Sequence, residues 1–169
     1  MTPSGSKRLR TAVLISGRGS NMMALVDAAE AADYPAKIAL VVSNKPKAAG
    51  LARAAERGIT AIAIDHTTFA TRETFEHALD AALREHAIDF VACAGFMRVL
   101  TPWFVSRWEG RLINIHPSLL PKYKGLHTHQ RAIDAGDTVA GASVHWVVSE
   151  VDGGAVIDQE SVAIGPEET

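Results

Sequence analysis

The apolar run "RLINIH" ends in Asn114-x-His116-Pro117. If that run is a strand, its period of two puts Asn114 and His116 on one face. An amide donor beside an imidazole can hydrogen-bond the oxygen of a carbonyl as it becomes a tetrahedral oxyanion, and the imidazole can also move a proton. A structural histidine with a capping asparagine would read the same way. Further along, Asp152 is followed by Gly153 and Gly154. A carboxylate brought near His116 would strengthen the imidazole's hold on a proton and could accept the proton that an attacking amine must lose. Alone, Asp-Gly is also ordinary turn chemistry.

A second constellation stands near the N-terminus, where "TAVLI" is followed by "SGRGSN". A strand, then Gly17-x-Gly19-Ser20-Asn21, then a helix lets backbone N–H groups and a helix N-terminus hold an anion, with phosphate the natural guest. It is not the dinucleotide fingerprint: the third glycine is missing, and the second strand ends in Ser43 and Asn44 without an acidic residue. The competing reading is a tight turn with Ser20 as helix cap. After the fourth apolar run, Met97, Val99 and Leu100 surround Arg98, as a wall for a flat aromatic ligand or as helix-packing surface. The basic loop "PKYKG" from residue 121 is either solvated or a path for an anionic substrate.

A metal is not expected. His127 and His129 are two apart, which splits them across a helix, and no HExxH or cysteine-rich partner accompanies them. They read as loop or helix-surface residues within reach of a ligand. The lone cysteine, Cys93, lies inside "FVACAG" and reads as a small core residue.

These residues need a frame. Five apolar runs, beginning at residues 11, 37, 60, 90 and 111, are continuous rather than alternating, as in strands buried on both faces. Between the first four lie helical patterns. The segment 20–32 has Ser20 as N-cap with Met23, Val26 and Ala29 or Glu30 at helical spacing. The segment 46–57 opens on Pro46 and closes before Gly58. The segment 71–87 carries Phe75, Leu79 and Leu83 in one stripe and starts Thr-x-x-Thr rather than with a capping box. This alternation predicts an α/β protein with a Rossmann-like, doubly wound, mostly parallel sheet and helices on both faces, whose ligands bind outside the carboxyl ends of the strands. Residues 139–148 and 155–164 look like two late strands joined through Gly153 and Gly154, with no helix after them.

At 169 residues the chain is the size of one domain, with residues 1–10 as a flexible lead-in. The apolar run behind "MTPSGSKRLR" is too short for a signal peptide, and no stretch is long and apolar enough for a membrane span, so the default location is the cytoplasm. A net charge of −2 and a pI near 6.4 argue against an affinity built on nucleic-acid phosphates and favour small molecules as partners. Monomer and homodimer both stay open.

Taken together, "VLISGRGSNMMAL", "VVSNKPKAAGLARAAERGI", "AGFMRVLTPWFVSRWEGRLINIHPSLLPKYKGLHTHQRAIDAGD", "GASVHWV" and "VDGGAVI" resemble the folate-dependent formyltransferases in order and spacing, from about residue 11 onward. "NIHPSLLP" with a downstream aspartate is shared across several of them, whereas "SGRGSN" points to the branch that formylates glycinamide ribonucleotide in purine biosynthesis. The resemblance implies Asn114, His116 and Asp152 as the catalytic trio, with Gly19, Ser20 and Asn21 on the ribonucleotide phosphate. It further implies a pteridine pocket lined by Met97, Arg98, Val99, Leu100 and the 146–152 loop, with Arg72 near the folate's glutamate tail. The co-substrate would be 10-formyltetrahydrofolate. The family continues for several tens of residues past the equivalent of Thr169, so the resemblance implies a domain lacking a terminal helix. Rival readings are another 10-formyltetrahydrofolate-using formyltransferase, a hydrolase passing the formyl group to water, or a binding module that kept the fold and lost the chemistry.

Overall fold

The computed structural model describes residues 7–163. Seven strands form one sheet: β1 (Leu9–Ile15), β2 (Ala36–Ser43), β3 (Thr60–Ala63), β4 (Phe90–Ala94), β5 (Leu112–His116), β6 (Val139–Trp146) and β7 (Val156–Ala163). Their order is β3-β2-β1-β4-β5-β6-β7. The first five run parallel, and β6 and β7 are antiparallel additions at one side. Five α-helices connect or flank the strands: α1 (Ser20–Ala29), α2 (Ala49–Glu56), α3 (Arg72–Glu85), α4 (Pro102–Arg107) and α5 (Thr128–Asp134), counted among the described residues.

The continuous apolar runs are explained by two cores. On β1, Ala12 and Leu14 pack with Phe75, Leu79 and Leu83 of α3 and Phe104 of α4, whereas Val13 and Ile15 pack with Met22 and Val26 of α1 and Ala54 of α2. A strand covered on both faces has no solvent side to alternate with. The strand order reverses between β1 and β4, so the loops leaving their carboxyl ends flank the crevice where such sheets bind ligands.

Several local expectations are corrected. Ser20 is the first helical residue of α1 rather than its cap; Gly19 occupies the N-cap in the left-handed conformation, and no side chain caps there. The buried stripe of α1 runs through Met22, Val26 and Ala29 instead of Met23. Helix α2 starts at Ala49, because Pro46 and Lys47 form a turn closed by Ala48 N–H on the Lys45 carbonyl, 3.1 Å. Thr71 does open a capping box: its hydroxyl accepts from Thr74 N–H while the Thr74 hydroxyl accepts from Thr71 N–H. Threonine substitutes there for the usual Glu or Gln.

Of the expected lead-in, residues 1–6 lie outside the described residues. Arg8 is tied down through hydrogen bonds to the carbonyls of Tyr34 and Ala36, and Leu9 and Arg10 already belong to β1. The late pair of strands forms as expected, with Val144 opposite Asp158. Ile164 and the segment beyond it lie outside the described residues.

Candidate active site

Strand β5 delivers Asn114 and His116 to one end of the sheet, and β6 runs antiparallel beside it with His145 directly opposite Asn114. The Asn114 amide Nδ2 lies 3.2 Å from His145 Nε2. His145 Nδ1 lies 2.9 Å from the Trp146 carbonyl, which can only accept, so Nδ1 carries the proton and Nε2 is left as the acceptor for the amide. His116 is buried, and its Nε2 donates to the Tyr123 carbonyl at 2.7 Å. Its other nitrogen faces Asp152: Nδ1 to Oδ2 is 3.4 Å.

Asp152 reaches this point from the loop between β6 and β7, with its backbone left-handed at φ 54°. Its Oδ2 also accepts Gly125 N–H at 2.8 Å, and its Oδ1 stands 3.6 Å from His145 Nε2. The three residues expected to do chemistry therefore converge, although Asn114 and Asp152 come from distant parts of the chain.

They open onto a cavity of about 780 Å³. Met97, Val99, Leu126, Val148 and Val151 line it, and each is a large apolar side chain left exposed, from 42% to 59%. Apolar residues are normally exposed singly, so a group of five around one concavity marks a surface built for an apolar ligand. Leu100 lines the cavity too but is mostly engaged in the core. In the same wall, the Nε of Arg98 is buried without a hydrogen-bond partner among the described residues.

The loop carrying Met97 is anchored at both ends. Met97 N–H donates to Ser16 Oγ at 2.8 Å, and Ser16 in turn donates to Asn44 Oδ1 at 2.5 Å. At the other end, buried Glu76 accepts from Thr101 N–H at 2.7 Å. Cys93 also borders the cavity, and burial pushes its thiol up to about 12, so it stays protonated and does not serve as a nucleophile.

The Gly17–Asn21 turn sits at the neighbouring strand end, outside the lining of that cavity. Gly19 has φ 73°, which opens α1 with Met23 N–H on the Gly19 carbonyl at 2.8 Å. The turn is backed by α2: Gly50 N–H donates to the Gly17 carbonyl at 3.0 Å. Ser20 and Asn21 are both exposed in the first turn of α1, where unpaired helix N–H groups face an incoming anion.

Other expectations fare differently. Arg72 is exposed at the start of α3 and does not line the cavity. His127, the left-handed N-cap of α5, and His129 in its first turn both line it. The described residues hold no group of three or more side chains suited to a metal ion. Sequence reading missed His145 and Tyr123 as parts of the site. Only strand register and loop closure bring them to it, and neither leaves a local signal.

Comparison with known proteins identifies the family. The model of the formyl transferase family matches residues 9–169. A trifunctional purine biosynthetic protein adenosine-3 from Drosophila melanogaster is 49% identical over 164 residues, covering 96% of this chain, which spans only 12% of that protein's length. Phosphoribosylglycinamide formyltransferase from Haemophilus influenzae is 47% identical over 160 residues, covering 95% of this chain and 76% of the relative. The crystal structure of phosphoribosylglycinamide formyltransferase from Brucella melitensis superposes with a TM-score of 0.92 at 46% identity, covering 96% of this chain and 84% of that one. With the family model matched over residues 9–169 and a relative of that activity 47% identical over most of both chains, the chain belongs to the formyl transferase family.

Proposed function

We propose that this protein, as one formyltransferase domain, transfers the formyl group of 10-formyltetrahydrofolate to the primary amine of glycinamide ribonucleotide. The observation that carries the proposal is the convergence of Asn114, His116 and Asp152 on a cavity with an apolar wall. The relatives named for this reaction support the choice of substrate.

In this reading the pteridine lies against Met97, Arg98, Val99 and Leu100. The ribonucleotide phosphate rests on Gly19, Ser20 and Asn21. The crevice between β1 and β4 brings the two substrates together. Arg72, an exposed cation, is assigned to the glutamate tail on the family pattern.

The amine nitrogen attacks the formyl carbon, a C–N bond forms, and the carbonyl π pair moves onto oxygen. Asn114 supplies its free amide hydrogen to that oxygen. His116, protonated at both nitrogens, supplies Nδ1–H, which at 3.4 Å from Asp152 is held loosely enough to be shared with the oxyanion. Asp152 balances the imidazolium and takes the amine's proton, directly or through water. Collapse restores the carbonyl and breaks the bond from the formyl carbon to N10, which takes up the proton that Asp152 accepted from the amine. Formyl-glycinamide ribonucleotide and tetrahydrofolate leave. No helix of the described residues is long and apolar enough to cross a membrane, and we assign this chemistry to the cytoplasm, between small-molecule substrates and without nucleic acid.

The test is conversion of 10-formyltetrahydrofolate to tetrahydrofolate with and without glycinamide ribonucleotide. Turnover is expected only with the ribonucleotide. Equal turnover without it would identify a hydrolase, and silence in both would overturn the reading. Asn114→Ala and His116→Ala should each lose about 10²- to 10³-fold in kcat.

A further inference from the structure

The imidazole of His116 is gripped from the side away from Asp152 by the loop between β5 and α5. The contact is a main-chain one, Nε2 to the Tyr123 carbonyl at 2.7 Å. Tyr123 makes it from φ 54°, a backbone conformation that a residue with a bulky side chain adopts only when its surroundings impose it.

The surroundings that impose it are specific. The Tyr123 phenol donates to Asp137 Oδ2 at 2.5 Å, and the same oxygen faces Lys122 Nζ at 3.2 Å. The guanidinium of Arg131 lies 5.2 Å from the centre of the Tyr123 ring and bonds the Lys124 carbonyl at 2.7 Å. Asp137 is itself placed just past the end of α5 by its N–H on the Ala132 carbonyl, 3.0 Å. Consistent with a firm phenol–carboxylate bond, Tyr123 is held above the ordinary phenol range, and Asp137 below the ordinary carboxylate range, chiefly by each other.

We propose that Asp137 is a positioning residue for the formyl transfer: by holding the Tyr123 phenol it keeps the Tyr123 carbonyl on His116 Nε2, and so keeps Nδ1 directed at Asp152 and the reacting carbon. This rests on the assignment of His116 to the oxyanion. Asp137 does not line the cavity, so its effect passes through two contacts.

The test uses Asp137→Ala, Asp137→Asn, Tyr123→Phe and the Asp137→Ala/Tyr123→Phe double variant. The Ala and Phe variants should each lower kcat about tenfold while both KM values stay within about twofold, because the imidazole is misdirected and the substrate surfaces are untouched. The double variant should fall no further than either single one, since both break the same bond. Asp137→Asn, whose Oδ1 still accepts the phenol, should keep kcat within about threefold of the parent. In ¹⁵N-histidine spectra, the His116 Nε2–H resonance should be protected from exchange in the parent and in Asp137→Asn, and unprotected in Asp137→Ala. Full kcat in Asp137→Ala, additive losses in the double variant, or an unchanged His116 resonance would each overturn the proposal. The spectra need no turnover. A parent inactive toward glycinamide ribonucleotide but carrying the protected resonance would therefore reject the function while leaving the contact established.

Discussion

Asn114 on β5 and His145 on β6 stand opposite one another in antiparallel register, amide Nδ2 to imidazole Nε2 at 3.2 Å. With His145 Nδ1 committed to the Trp146 carbonyl at 2.9 Å, Nε2 is an acceptor and the amide is held with its NH2 toward the histidine. One amide hydrogen is thereby fixed and the second stays free, which is the hydrogen that the proposed mechanism gives to the formyl oxygen. A hydrogen-bond donor oriented before the substrate arrives needs no reorganisation as the oxyanion forms.

His145→Phe tests this arrangement, because it keeps the ring volume and removes the acceptor. Its kcat should fall about ten- to hundredfold, less than the roughly 10²- to 10³-fold of Asn114→Ala, with KM for both substrates little changed. The double variant should match Asn114→Ala alone. Steady-state kinetics of the three proteins decide it, and a fully active His145→Phe would show that the amide is oriented by something else.

Gly50 in the first turn of α2 bears directly on the Gly17–Asn21 turn. A Cβ on Gly50 would lie 2.5 Å from Ile15 Cδ1 and 3.0 Å from the Gly17 carbonyl oxygen. Ile15 is wholly buried, so its Cδ1 can move only by displacing packed neighbours, and the Gly17 oxygen is main chain already bonded to Gly50 N–H. Alanine's better helix propensity favours the variant by up to about 1 kcal/mol, whereas overpacking costs about 1–3 kcal/mol, so the crowding wins. Gly50→Ala should unfold at lower urea concentration and should raise KM for the ribonucleotide more than KM for the folate. A rise confined to the folate KM would separate this turn from the phosphate.

The buried Cys93 thiol gives stability a defined pH dependence on the alkaline side. Burial pushes its folded pKa up to about 12 from the ordinary thiol value of 9.0. Between those values the unfolded chain has lost this proton and the folded chain still holds it, so stability falls as pH rises, by about 1.4 kcal/mol per unit for this group. From pH 8 to 10.5, the parent should lose roughly 2 kcal/mol more than Cys93→Ala in chemical denaturation. Parallel curves for the two proteins would show that the thiol titrates alike folded and unfolded. A thiol reagent at pH 8 should likewise modify the native protein slowly.

What the sequence determined by itself is whatever neighbours within a few residues decide. The runs at residues 11, 37, 60, 90 and 111 announce strands covered on both faces. Gly17 and Gly19 after the first run mark a tight strand-to-helix turn, and period two puts Asn114 and His116 on one face. Even at this range small features escaped: a left-handed Gly19 took the cap expected of Ser20, and Thr74 closed a capping box usually closed by Glu or Gln. Tertiary structure alone decided the rest. Asn114 meets His145, 31 residues later, because β6 pairs with β5 in one register, and a slip of a single residue would turn His145 to the opposite face. Asp152 and Tyr123 reach His116 through loop closure, and Arg72, which opens α3 after the edge strand β3, does not line the cavity beside β4, β5 and β6. Periodicity and turn chemistry are local energies written residue by residue. Register and loop closure depend on the packing of the whole sheet, and the chemistry of this site is assembled there.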